Sequence, residues 1–332
     1  MSYVHFSRDE RVELRGLLRT KLYQADIARL LGRSPGALSR EIAKGGGRKA
    51  YCVKKAQQKT RASHLAANQR FRKMGNNRDL TDRVLSLLEL EWSPEQIVGR
   101  TSFEVKFGLV DSGTTITSAQ TIYNFVNADK MLHHLLPRGH SKYRRTGENK
   151  ERKAKRAAID PRRAIETRPE AVEARQELGH WEGDTIIGKE KKERILTHVE
   201  RTTGYLLASK TASGEALEIR KYTERDFKVI PKRQKKTCTY DRGVEFADWE
   251  TTEKNTKITT YFANPYHSWE RGTNENTNGL LRRSFPKGTS FATLSEKQLS
   301  QAVYRINHRP RKRLGYKTPH EVLKGVAVRS LI

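Results

Sequence analysis

The sequence predicts a multidomain protein, α-helical in its N-terminal part and α/β in its C-terminal part. Three observations predict it. Residues 1–136 repeatedly pair a helix-opening signal with helical apolar spacing. Residues 185–262 instead carry short β-branched and aromatic runs alternating with helical stretches. Between them, residues 138–163 hold eleven Lys or Arg against three acids and almost no large apolar side chain. At 332 residues the chain has room for two or three compact units.

The first helix opens at Ser7, which can cap it while Glu10 closes the capping box, and Val12, Leu14, Leu17 and Leu18 supply its buried face. A second helix begins near Tyr23, carries Ile27, Leu30 and Leu31, and stops at Gly32, which tolerates the positive φ of a sharp helix end. Ser34 as N-cap and Pro35 as first helical residue open a third helix, with Leu38 and Ile42 facing inward. That arrangement leaves Arg33, Ser39 and Arg40 for solvent or a partner, and together with Ser34 they are the DNA-contact candidates of this unit. Two short helices around a glycine turn form a helix-turn-helix pattern whose second helix fits a DNA major groove; a plain helical hairpin is the alternative. This domain is assigned to residues 1–75.

A comparable unit follows over residues 76–136. Ser93, Pro94 and Gln96 open a helix with Ile97 and Val98, and Ser118 opens another with Ile122, Tyr123, Phe125 and Val126. The intervening FEVKFGLVDSGTTI is long for a helix-turn-helix turn and has room for a small strand pair, so a helical packing domain is the competing reading. Gln120, Thr121 and Asn124 are the DNA-contact candidates here. Residues 137–171 read as a basic linker, either a tether along DNA phosphates or a solvated spacer.

From residue 172 to 332 the pattern is α/β. Strands are expected at Thr185–Ile187, Ile195–Val199, Tyr205–Ala208, Lys236–Tyr240 and Ile258–Phe262. Helices are expected at Glu215–Phe227, around Phe246–Glu253, from Trp269 through Leu281, and at Ser295–Asn307. Three strands, a helix, then alternating strand and helix is the order of a ribonuclease H-like fold, shared in part by other α/β folds.

The charge bounds the partners. Lys and Arg total 66 against 38 acids, a formal charge of +28, which points to a polyanion, and nucleic acid fits best because neutralising phosphates releases condensed counterions. Cys52 and Cys238 are too few for a disulfide framework or a zinc site. No membrane partner is expected, since no apolar run approaches a membrane span and the N-terminus lacks a signal-peptide core; the expectation is a soluble cytoplasmic protein.

Three acids sit where this fold would gather them: Asp184 on the first strand, Asp241 directly after the fourth, and Glu275 in the late helix. An acid among apolar strand residues is costly unless a cation or strong donor compensates it. Mg²⁺ takes oxygen ligands, and two such ions about 4 Å apart can activate a water or 3′-hydroxyl and stabilise the leaving oxygen of a phosphodiester. Glu182, on the same strand face as Asp184, is a supporting candidate, whereas Glu245 lies beyond the strand end. His180 and Trp181 read as packing and hydrogen-bonding residues.

The stretches GHWEGDTIIG, TYDRGVEFADW, YFANPYHSWERGTNENTNGLLRRSFPKGTSF and INHRPRKRLGYKTPHEVL resemble those of the insertion sequence 30 family of bacterial DDE transposases. Between Asp241 and Glu275 lie 33 residues, the family's spacing. IARLLGRSPGALSREI, and SPEQIVGR with SAQTIYNFV, resemble its two helix-turn-helix regions more loosely. Departures are small: Tyr240 stands where tryptophan is common, and residues 264–268 differ from the usual run. The resemblance implies an integrase-like catalytic core with Asp184, Asp241 and Glu275 as catalytic metal ligands for two Mg²⁺ ions, with Mn²⁺ able to substitute. It implies binding of double-stranded terminal inverted repeats and target DNA by a homodimer or higher oligomer. Arg282, two helical turns beyond Glu275, suits a contact to the DNA end or is one more surface arginine. Arg309 to Arg313 form either a phosphate-contacting patch or a solvated surface. A catalytically silent DNA-binding regulator derived from a transposase is the alternative, against which the intact triad argues.

Overall fold

A computed structural model describes residues 5–70, 73–114, 118–136, 160–265 and 267–328. The basic stretch 137–159 and Tyr266 lie outside the described residues. The chain divides into two compact units, Met1–Thr81 and Asp82–Ile332.

In the first unit, α1 (Arg8–Leu17), α2 (Gln24–Leu30), α3 (Pro35–Gly45) and α4 (Val53–Arg70) are followed by the short α5 (Lys73–Asn76). The capping box is present: Ser7 Oγ accepts from Glu10 N, and Glu10 accepts from Ser7 N. Ser34 caps α3 and Gly32 takes φ +60° between α2 and α3. Leu14, Leu18, Ile27, Leu38, Ile42 and Tyr51 form the core. Val12, expected inside, is 57% exposed, and Leu30 is 64% exposed. Their places go to a buried polar group: Arg11 Nε donates to Glu41 Oε1 at 2.6 Å and Nη2 to Thr60 Oγ1 at 3.0 Å, tying α1 to α3 and α4. Two positions from Leu14, Val12 points to the far side of α1.

The second unit begins with α6 (Arg78–Glu89), which straddles its boundary, then α7 (Pro94–Lys106) and α8 (Ala119–Ala128). Ser93 and Gln96 form the expected capping box on α7. Tyr123 Oη donates to Glu95 across the α7–α8 pair. Among the described residues between α7 and α8 there is a 3₁₀ turn at Ser112–Thr114 and no strand; residues 115–117 lie outside them. The helices are fastened to the rest of the unit. Arg100, 1% exposed, pairs with Glu104 on its own helix and, through both Nη atoms, with Glu321 of α14 (Pro319–Lys324). Gly99 is needed at this contact, because a Cβ there would stand 2.0 Å from the Tyr316 ring. Arg309, 3% exposed, donates to Glu91 at 3.0 Å, so this member of the C-terminal basic run serves packing.

Next come α9 (Glu170–Ala174) and a five-stranded sheet of β1 (His180–Ile187), β2 (Arg194–Glu200), β3 (Leu206–Thr211), β4 (Thr237–Tyr240) and β5 (Thr259–Phe262), in the order β3-β2-β1-β4-β5. β2 runs antiparallel to both neighbours, and β1, β4 and β5 are parallel. This is the topology of a ribonuclease H-like α/β core. Alternation along the strands separates two cores. Trp181 and Leu196 pack with Ile219 and Phe227 of α10 (Ala216–Lys228), beside α11 (Trp249–Thr256). Ile186, Ile195, Val199 and Leu206 pack with Leu281 of α12 (Gly272–Ser284) and Leu299 and Ile306 of α13 (Glu296–Asn307). Residues 160–171, placed in the linker by composition, already belong to this body: Ala164 bridges Phe262 beside β5, and Arg168, 8% exposed, donates to Thr239 of β4.

Candidate active site

The second core fixes which way the acids point. Asp184 shares its parity on β1 with Ile186 and Glu182, so it faces α12. Glu182 pairs with Thr239 across the parallel β1–β4 ladder, and two residues further along the same register Asp184 comes opposite Asp241. Gly183 makes the close approach possible: a Cβ there would lie 2.1 Å from Tyr240 Cε1, and the Tyr240 ring, stacked on Phe246 at 4.3 Å, has no room to retreat.

Each aspartate is held by one or more donors. Asp184 Oδ1 accepts from Thr185 N and Oδ2 from Asn278 Nδ2, both at 2.9 Å. Asp241 Oδ1 accepts from Gly243 N at 2.9 Å. Between the two carboxylates lies the Arg271 guanidinium, with Nη1 3.5 Å from Asp184 Oδ1 and Nη2 3.2 Å from Asp241 Oδ2. Arg271 Nη1 also donates to Gly183 O at 3.0 Å. Burial raises the pKa of Asp184; Arg271 pulls it down, and the Asp241 charge adds to the rise.

Glu182 turns out to be structural. Wholly buried, it accepts from Arg201 Nη1 and from Asn274 N at the start of α12, each at 2.8 Å. Asn274 returns a bond from Nδ2 to Glu182 O, so α12 is docked on β1 through both of its polar groups. Asn274 and Asn278 therefore position α12 and Asp184. Glu275 is exposed on α12. It lies next to Asn274 and three residues before Asn278, the two α12 residues that bond to β1. Among the described residues, no three His, Cys, Asp or Glu side chains converge as a ready metal cage. The structure thus brings Asp184 and Asp241 together around Arg271, whereas Glu275 is not part of that cluster among the described residues. All are hard oxygen donors, which suit a cation such as Mg²⁺.

The other site residues divide. Arg33 is turned into its own module, donating to Glu10 at 2.6 Å and lying over the Phe6 ring, while Ser34 is occupied as the α3 cap. Ser39 and Arg40 are exposed on α3. Gln120 and Asn124 are exposed on α8 and bonded to each other at 2.9 Å, with Thr121 half-buried beside them. Arg282 is half-buried, its Nη2 donating to Ile187 O at the end of β1 at 3.0 Å. Glu245, expected beyond the strand end, accepts from Thr185 Oγ1 and Arg194 on the opposite sheet face from Asp184. Arg271 is what the sequence reading missed. Among so many basic residues nothing marks it until α12 is docked on β1.

Paired strand aspartates at one face of a ribonuclease H-like core, in a chain of charge +28, define the class of nucleic-acid strand transferases. The transposase InsI of insertion sequence element IS30A from Escherichia coli (strain K12) is 35% identical over 336 residues, covering 98% of this chain and 85% of its own length. The transposase of insertion sequence element IS4351 from Bacteroides fragilis is 35% identical over 328 residues, covering 97% and 96%. That of IS1086 from Cupriavidus metallidurans is 31% identical over 327 residues, covering 93% of each. No family model matches the chain. Among solved structures it is similar to the catalytic core domain of BIV integrase, with a TM-score of 0.37 and 21% identity over 44% of this chain and 94% of that one. The chain belongs to the insertion sequence 30 family of transposases. It is a DDE-type DNA strand transferase of transposition and DNA integration, with DNA as its partner, and enzymes of this class use divalent metal ions. Among the described residues no helix is long and apolar enough to cross a membrane.

Proposed function

We propose that the chain binds the terminal inverted repeats of its own element through its N-terminal helical modules, and cuts and joins the DNA ends at Asp184, Asp241 and Glu275 with Mg²⁺. The observation that carries this reading is the pair of carboxylates on adjacent parallel strands sharing one cationic group, Arg271. Two carboxylates so close need a cation between them, and their oxygens suit a divalent metal. When bound, Mg²⁺ supplies activation of the attacking water or 3′-hydroxyl and charge neutralisation at the leaving oxygen. The chain's own residues fix the donors: Thr185 N and Asn278 orient Asp184, Gly243 N orients Asp241, and the Glu182–Asn274 bonds set α12, which carries Glu275.

DNA recognition is assigned to two helix-turn-helix modules. α2, the turn at Gly32 and α3 form the first, presenting Ser39 and Arg40; α7 and α8 form the second, presenting Gln120 and Asn124. Because two DNA ends are processed together, the working complex is at least a dimer. The test is a cleavage assay on labelled terminal DNA. Asp184→Asn, Asp241→Asn and Glu275→Gln should each abolish nicking in Mg²⁺ while gel-shift binding to the repeat stays near that of the unchanged protein. Wild-type nicking by any of the three would remove that residue from the triad.

A further inference from the structure

We propose that Arg271 is a resident counter-cation of the active site, which holds Asp184 and Asp241 together before metal binds and must withdraw to admit the divalent ions. The inference rests on the metal-ligand reading of these aspartates and adds a gate to it.

Four observations carry the proposal. The guanidinium reaches both carboxylates, at 3.5 Å and 3.2 Å, by different nitrogens. Nη1 also donates to the carbonyl of Gly183, the residue before Asp184, so the side chain is seated against β1. The arginine side chain is 13% exposed, and its Nε is buried without a partner among the described residues, so the guanidinium is placed by the acids and incompletely satisfied otherwise. Finally, Arg271 is the N-cap residue of α12, so the helix that carries Glu275 starts directly after the residue held between the aspartates.

The physical consequence follows from charge. Two adjacent carboxylates repel unless a cation lies between them, and burial of Asp184 strengthens that need. A guanidinium satisfies it with one positive charge and planar, directional donors. A divalent ion bridging Asp184 Oδ1 and Asp241 Oδ2 would take the place of the guanidinium, which lies 3.5 Å and 3.2 Å from those oxygens, so the two cations compete there. Metal binding in the free protein is therefore weakened by the cost of expelling Arg271. Once expelled, Arg271 frees the space between the aspartates, and its charge becomes available to a DNA phosphate. In this arrangement the nuclease centre is kept unloaded until ions and DNA together displace the arginine.

The test uses Mn²⁺ alone as probe, titrated into the full-length protein without DNA, with free Mn²⁺ read by electron paramagnetic resonance. Arg271→Gln removes the charge and should bind Mn²⁺ on the order of tenfold more tightly than the unchanged protein. Arg271→Lys, which keeps a cation, should bind as weakly as the unchanged protein, an outcome that loss of packing alone would not give. Mn²⁺ binding by Arg271→Gln that is no tighter than that of the unchanged protein would overturn the gate. In the Arg271→Gln background, Asp184→Asn should remove the gained binding. If it does not, the ligand reading of Asp184 fails, which is a different result from failure of the gate.

Discussion

Glu182 carries no exposed surface, yet it holds three parts of the core together. Its carboxylate receives Arg201 from the end of β2 and the Asn274 amide from α12, and Arg201 also reaches Glu173 of α9. Removing one partner of such a buried pair leaves a charge without compensation, which costs about 3–5 kcal/mol. Glu182→Ala should therefore lower the urea-unfolding free energy by roughly that amount. An unchanged midpoint and slope would show that Arg201 and Asn274 find other partners. At this scale the sequence was legible where chemistry is costly and local. Asp184, Asp241 and Glu275 stood out because carboxylates at strand ends and in a spaced motif need an explanation. Arg271 did not, because a basic residue in a basic chain carries no such signal until α12 is docked on β1. Arg11 was hidden for the same reason: a charge reads as surface unless its partner, here Glu41, is known to be buried opposite.

Between β1 and β4 the spacing is set by Gly183. An added Cβ would meet Tyr240 Cε1 at 2.1 Å, and that ring is itself confined by Phe246 and by a 3.2 Å contact between its hydroxyl and His198. Gly183→Ala must therefore spread the two strands that carry the aspartates. Overpacking of this kind costs about 1–3 kcal/mol. Expected are a fall in thermal stability of that order and a larger fall in strand cleavage, since the spacing between the Asp184 and Asp241 carboxylates changes; cleavage that falls no further than stability would contradict the strand-spacing argument. Strand positions were readable from short β-branched and aromatic runs, and β1 exceeds its expected start because His180 to Gly183, rich in polar and small residues, lacks that pattern. The helix expected from Phe246 begins only at Trp249, since residues 244–246 form a separate 3₁₀ turn that aims Glu245 at Thr185 and Arg194. Such a turn is dictated by a tertiary partner and leaves no periodicity to read.

At the scale of the whole molecule, residues 76–136, read from capping and apolar spacing as a second helix-turn-helix-like unit with a helical packing domain as the alternative, carry α6, α7 and α8, and buried charges tie this stretch to the C-terminal part of the larger unit. Glu91 takes Arg309 and lies 3.7 Å from Arg305, and Arg100 takes Glu321, which also closes the cap of α14. These ties come from residues more than 200 positions apart, a separation over which sequence patterns carry no pairing information. They make the point of truncation decisive. A chain beginning at Asn77 keeps the residue whose Oδ1 accepts from Leu80 N at the start of α6, along with Glu91 and Arg100. A chain beginning at Leu136 strips Glu321 and Arg309 of their partners and of the helices that cover them, a loss of about 3–5 kcal/mol in total. With a melting shift of roughly 2–4 °C per kcal/mol for a body of this size, the shorter chain should melt on the order of 10 °C or more below the longer one. Arg100→Met within the longer chain should reproduce part of that loss, because it removes the guanidinium partner of Glu321 and leaves Glu104 to Arg83 alone while filling the same space. Equal melting of the two truncated proteins would mean that α6–α8 and the α/β core are thermodynamically independent, and that the buried ion pairs between them contribute nothing to the stability of the catalytic body.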